Sequence, residues 1–198
     1  MSQIAKLIDD IINSGLKPRM KSGGYRKSGR TFYRDAGTFT AVANVQASRS
    51  NSGAQGRFSI NLGIYFPDVA EITNALPFTG SFPKEYDCTV RQRLGVLMTE
   101  GDDYWWEVKT TSNVERIADN INVTWRKYGE PWIDTMSNLD AAHVELVKQN
   151  LHFVAAGISL ILNRRDEAAE LINLAKKRQP MAAGRIRDWA KRHHLTET

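Results

Sequence analysis

The chain has 198 residues, of which 41% are hydrophobic, 25% charged and 9% aromatic, and its formal net charge is +5. This is globular composition, and it excludes a collagen-like, disordered or disulfide-scaffold chain. The single cysteine, Cys88, excludes an internal disulfide and fits a reducing compartment. No run of 18 apolar residues occurs, and Asp9 and Asp10 interrupt the first apolar stretch. Neither a membrane span nor a signal peptide is expected, so the expected location is cytoplasmic.

Ile4, Leu7, Ile8, Ile11 and Ile12 recur at helical spacing, with Ser2 placed to cap a first helix and Gly15 to stop it. Residues 17–29, KPRMKSGGYRKSG, hold Pro18 and three glycines and read as a loop or ragged hairpin. From Arg30 the period changes to two. A short strand over 30–34 and a turn at Ala36 and Gly37 lead into a second strand. There Phe39, Ala41, Ala43, Val45 and Ala47 share one face, opposite Thr40, Val42, Asn44, Gln46 and Ser48. After a polar loop at 49–56, Phe58, Ile60, Leu62, Ile64 and Phe66 alternate with Arg57, Ser59, Asn61, Gly63 and Tyr65, the strongest strand signal in the chain. Residues 86–98 predict another strand, with Tyr86, Cys88, Val90, Leu94, Val96 and Met98 on one face and Asp87, Thr89, Arg91 and Arg93 on the other. Glu100 to Asp103 reads as a turn, and Tyr104 to Val108 as a strand.

Beyond Thr111 the period is helical. Val114, Ile117, Ala118, Ile121 and Trp125 predict a helix ended by Gly129 and Pro131, and Asn138 or Asp140 is placed to cap another. Leu151 to Leu162 predicts a buried helix, followed by DEAAELINLAKKRQ up to Pro180 and a basic helix from Ala182 to Arg192. The order predicts an α+β fold: an N-terminal helix, a mostly antiparallel sheet, and C-terminal helices that pack as a small extension. The expected division is a sheet domain over 1–135 and a helical region over 136–198 docked on it.

GGYRKSGRTFYR, NVQASRSN, FSINLGIYFP, CTVRQRLG and the Trp105–Trp106 pair occur in that order. Together they resemble a bacterial family known only as domain of unknown function 4304, over helix 1 to about Trp132. The resemblance implies a fold and a bacterial or phage setting; it implies no reaction.

Charge is uneven. Residues 17–34 carry seven Lys or Arg and no acid, residues 101–140 four bases and eight acids, and residues 141–198 ten bases and six acids. No cofactor, metal set or catalytic group can be assembled. His143, His152, His193 and His194 form no zinc-type pair with each other or with Cys88, and no Ser or Cys has an obvious histidine partner. Cys88 lies on the apolar parity of its strand and is expected to be inert. The best constellation is the polar face of the sheet, where Gln46, Ser48, Asn61, Arg91 and Arg93 point one way, joined by Trp106 if its strand has matching parity. Trp105 and Trp106 have opposite parity, so one is core and the other faces out. Guanidinium forks and amides suit an anionic partner, and Arg26, Lys27 and Arg30 of the basic loop would add to it. The leading expectation is a non-catalytic module that holds a protein or other anionic partner. A second is a nucleic-acid binder using residues 17–34 and the terminal helix. A third is an enzyme on an anionic substrate, with Arg91 and Arg93 as clamp and Asp87 as base.

Overall fold

A computed structural model gives the fold and describes residues 2–76, 78–98 and 102–195. Its helices are α1 (Gln3–Ser14), α2 (Leu16–Ser22), α3 (Pro67–Ile72), α4 (Leu94–Met98), α5 (Val114–Thr124), α6 (Glu130–Met136), α7 (Leu139–Lys148), α8 (His152–Ile161), α9 (Arg165–Arg178) and α10 (Ala183–Arg192). Its strands are β1 (Arg26–Ser28), β2 (Thr31–Asp35), β3 (Thr40–Ala47), β4 (Gln55–Tyr65), β5 (Val90–Arg93) and β6 (Trp106–Lys109). The fold is α+β. It divides into two compact units, Met1–Tyr65 with Phe78–Asp134, and Phe66–Pro77 with Thr135–Thr198. Residues 66–77, placed with the sheet domain by the sequence reading, thus group with the C-terminal helices.

In the first unit the Ser2 hydroxyl accepts from the Ala5 N–H at 3.2 Å and caps α1, whose Ile4, Ile8, Ile11 and Ile12 are buried. Gly15 follows α1 because an added Cβ would lie 2.7 Å from the Ala118 carbonyl oxygen on α5. Of the loop or ragged hairpin expected at 17–29, the hairpin arm is present as β1, which pairs with β2, while the first part is the helix α2. Pro18 lies in the first turn of α2, where a missing N–H has no intrahelical partner to lose, and Leu16 and Met20 are buried.

All strand pairings are antiparallel, in the order β1-β2-β3-β4-β5. β4 is long enough to pair with two strands along one edge, β5 at Asn61 to Ile64 and β6 at Gln55 to Phe58. One face carries Phe32, Ala41, Ala43, Val45, Phe58, Ile60, Leu62, Ile64, Val90, Trp106 and Val108, all buried, and α1 rests against it on β4 and β6.

Two expectations fail here. The predicted strand over 86–98 keeps its period only at Val90–Arg93; Glu85–Asp87 is a 3-10 turn and Leu94–Met98 is helical. Tyr86 is consequently exposed rather than core. The helix from Val114 does not end at Pro131 but continues through a π-turn, Trp125–Gly129, into α6. Widening the turn to i→i+5 accommodates the proline ring, which would collide with the fourth preceding carbonyl in a regular helix.

Tyr25 stands edge-on to Trp125 with ring centroids 6.4 Å apart, and the Arg34 guanidinium lies over its ring at 5.0 Å. Burial pushes its phenol up to about 12, against the pull of Arg34. Burial favours the neutral form, so the stability it confers is complete below pH 10 and lost as pH rises through 12. Spectrophotometric titration is expected to give a tyrosine step near pH 12 that Tyr25→Phe removes.

The second unit is helical. The Asn138 side chain caps α7 by accepting from the Ala141 N–H at 3.1 Å. Trp189 of α10 is buried and donates its indole N–H to the Ile72 carbonyl at 2.6 Å, tying α10 to α3. Gly157 lets α8 approach α3: an added Cβ would lie 2.6 Å from Thr73 Cγ2.

Candidate functional site

Residues paired across antiparallel strands share a face. The register pairs Asn61 with Asn44 and with Arg93, Gln46 with Ser59, Gly63 with Arg91, and Arg57 with Glu107. Gln46, Asn61, Arg91 and Arg93 therefore lie on one side of the sheet, with Arg57, as β-alternation requires. Trp106 does not. It pairs with Phe58 on the apolar face, stacks on that ring at 5.8 Å, and donates to Asn120 Oδ1 at 2.9 Å. Its neighbour faces the other way. Trp105 is half-buried between two guanidiniums, Arg57 and Arg93, each 5.1 Å from its ring. Its indole N–H bonds Asp103 Oδ2 at 3.0 Å, and Asp103 also pairs with Arg93. The outward tryptophan is Trp105, and the alternation Trp106–Val108 against Trp105–Glu107–Lys109 carried that signal.

Much of the polar face is occupied by the protein itself. Asn61 is buried and donates to Gln46 Oε1 at 2.9 Å. Phe82 stacks on Tyr33 with centroids 4.0 Å apart, and Cys88 packs over Gly63, where an added Cβ would lie 2.6 Å from its sulfur. Burial pushes the Cys88 thiol well above its ordinary range, and Glu85 and Asp87 push it further; a thiol so placed is a small hydrophobe.

The clamp expected of Arg91 and Arg93 is neutralised from within. Arg93 pairs with Asp103, and Arg91 lies 3.6 Å from Glu85, whose carboxyl burial raises while both guanidiniums draw it back. Asp87, the base of the enzymatic reading, instead accepts from the Lys84 N–H at 2.7 Å and closes a turn. The basic loop also disperses. Arg26 pairs with Tyr33 on the polar face and lines a hollow of about 330 Å³. Lys27 lies 5.9 Å from the Phe32 ring on the opposite face. Arg30 bonds Asp9 at 2.7 Å and the Ala5 carbonyl at 2.9 Å, fastening α1 to the sheet.

A second hollow opens at the β3–β4 end of the face. Ser48, Ser50, Asn51, Gln55, Arg57, Glu107 and Lys109 line a hollow of about 230 Å³ there. The Asn51 side chain accepts from the Arg57 N–H at 2.9 Å and donates to its carbonyl at 3.2 Å, standing in for a strand partner and fixing that backbone. Arg57 thus belongs both to the hollow and to the stack on Trp105. Arg49, Arg57 and Lys109 are exposed, and among the described residues no ion pair involves them.

The family model described as Domain of unknown function (DUF4304) matches residues 16–135, more than half of the chain. The chain belongs to this family. No curated protein and no solved structure matches it. The DUF4304 segment includes the whole sheet, Arg57, Trp105 and Arg93, and stops before α7.

Beyond the DUF4304 segment, one polar cluster does join a serine to a histidine, contrary to expectation. His143 of α7, Ser159 of α8 and Glu167 of α9 meet, with Ser159 Oγ 2.9 Å from His143 Nε2 and 3.1 Å from Glu167 Oε2. Ser159 is fully buried. Its one proton goes to the carboxylate, so the ring Nε2–H donates to the hydroxyl. In a nucleophilic triad the acid holds the other ring nitrogen; here Glu167 Oε1 approaches the same Nε2, at 3.6 Å. The cluster ties three helices together. Among the described residues no group of three or more His, Cys, Asp or Glu could hold a metal ion.

Proposed function

We propose that the protein is a non-catalytic interaction module that holds an acidic segment of a protein partner at the open end of its polar sheet face. The observation that carries this reading is Trp105, clamped between Arg57 and Arg93 beside the hollow that Arg57 also lines. Tryptophan and arginine dominate the energetics of interfaces when they are held in place before the partner arrives. Trp105 is held by two cations and by Asp103, and Arg57 by the Asn51 side chain. In this reading an apolar side chain of the partner covers the indole, and a carboxylate enters the hollow toward Arg57 and Lys109.

The test is binding to an array of acidic twelve-residue peptides, followed by titration of the best binder. Arg57→Glu and Trp105→Ala are each expected to weaken it by about 30-fold, the equivalent of a 2 kcal/mol hot spot. Arg26→Glu, at the other end of the face, should leave it unchanged. Equal loss in all three variants, or in none, would remove the site.

A further inference from the structure

Residues 176–194 hold seven Lys or Arg against one acid, Asp188. In the helical unit they form the end of α9, the turn after it and all of α10. Lys177, Arg178, Arg185, Arg187, Lys191 and Arg192 are exposed, and among the described residues no ion pair involves them.

Part of this density has a local explanation. Lys177 and Arg178 lie in the last turn of α9, and Lys191 and Arg192 in the last turn of α10, where cations complement the negative end of the helix dipole. Arg185 and Arg187 have no such reason. They fall in the first half of α10, whose first turn carries no acid, so they sit toward its positive end, against the local electrostatic preference. Arg187 and Lys191 are four residues apart on one helix face, and Arg185 and Arg192 seven apart on another, so the cations run along the helix in two rows.

We infer that this α9–α10 surface is a sequence-independent contact for the phosphate backbone of nucleic acid. Polyanion binding draws its affinity from the number of charges neutralised and the counterions released, which is what a row of unpaired, solvated cations supplies. A bilayer surface is a poorer fit. Interfacial helices insert an apolar face, and the apolar residues of α10, Ile186, Trp189 and Ala190, are buried in the unit's own core; of the neighbouring apolar side chains only Met181 stands fully clear. An acidic protein surface would be met by ordered aromatic anchors, and Trp189 is buried.

The experiment is fluorescence anisotropy of a labelled random-sequence DNA duplex with the full chain, across roughly 50 to 200 mM salt. The expected result is binding whose log–log salt slope approaches about −5, from six phosphates at about 0.9 each. Arg185→Glu with Arg187→Glu should weaken binding by more than tenfold and flatten the slope by about 2. Both side chains are exposed, so the fold should survive, and circular dichroism checks this. Lys191→Ala with Arg192→Ala is the milder second variant and should act in the same direction. The same duplex titrated into Arg57→Glu should bind normally, which separates this surface from the one on the sheet. Absence of binding at low salt, unchanged binding in both α10 variants, or capture by phosphatidylserine vesicles with none by the duplex would overturn the proposal.

Discussion

Trp106→Ala is expected to destabilise the sheet unit by about 3–5 kcal/mol, whereas Trp105→Ala, one residue away, should cost about 1 kcal/mol or less. Trp106 is 2% exposed, stacks on Phe58, and holds Asn120 through its indole N–H. Its removal leaves a ring-sized cavity between β6 and the core, and the Asn120 amide oxygen loses its indole donor. Trp105 touches two solvated guanidiniums and an exposed aspartate, so its loss opens no cavity. Denaturant unfolding of the two variants checks this. Equal costs, or the reverse order, would mean that the β4–β6 register is wrong by one residue, since such a slip exchanges the two faces.

Gly63→Val is expected to cost about 1–3 kcal/mol and to convert Cys88 from an inert thiol to one that reagents label rapidly. Gly63 sits in the interior of β4, where glycine ordinarily weakens a strand and marks a close approach. The approaching group is Cys88, whose Sγ and Cβ would lie 2.6 and 2.7 Å from an added Cβ. Valine cannot share that space, so the turn carrying Cys88 must lift. That breaks the contact from its thiol to the Lys84 carbonyl at 3.4 Å and exposes the sulfur. Thiol-labelling kinetics on wild type and variant read this directly. Slow labelling in both would show that the cover over the polar face rests on other contacts.

The fold was legible wherever one physical rule dominated a segment. The isoleucines of α1 follow one helical face, and unbroken alternation from Arg57 to Tyr65 identifies β4, because burial of one face imposes that period. Legibility ended where two rules competed. Pro18 and three glycines outweighed Leu16 and Met20 in the reading of residues 17–29, yet a proline in a first turn costs a helix nothing. Alternation across 86–98 was extended through residues whose apolar character serves a turn and a short helix. Within the site, the sequence placed Gln46, Asn61, Arg91 and Arg93 on one face but could not report their partners. Glu85 and Asp103, which neutralise the two arginines, come from segments that only the register of β4, β5 and β6 brings near. Trp106 joins the polar face only if its strand has matching parity, and parity follows from a partner that spacing does not name: the register pairs Trp106 with Phe58 on the apolar face. Arg57 and Lys109, one at the start of an alternating strand and one at the end of a short one, gave no signal that they would flank one hollow. Ser159 and His143 lie sixteen residues apart on different helices, a separation that no helical spacing rule connects.

The central claim is that the open end of the polar face, centred on Trp105 and Arg57, is where a partner binds. Indole N–H signals in a two-dimensional nitrogen–proton spectrum test it most directly, because the five tryptophans report from different places. Trp106, Trp125 and Trp189 are buried, while the Trp105 indole lies on the proposed surface. Titration with the tightest-binding acidic peptide should move the Trp105 indole signal progressively and leave those of Trp106, Trp125 and Trp189 in place. A Trp105 signal that stays fixed while the peptide binds would contradict the account.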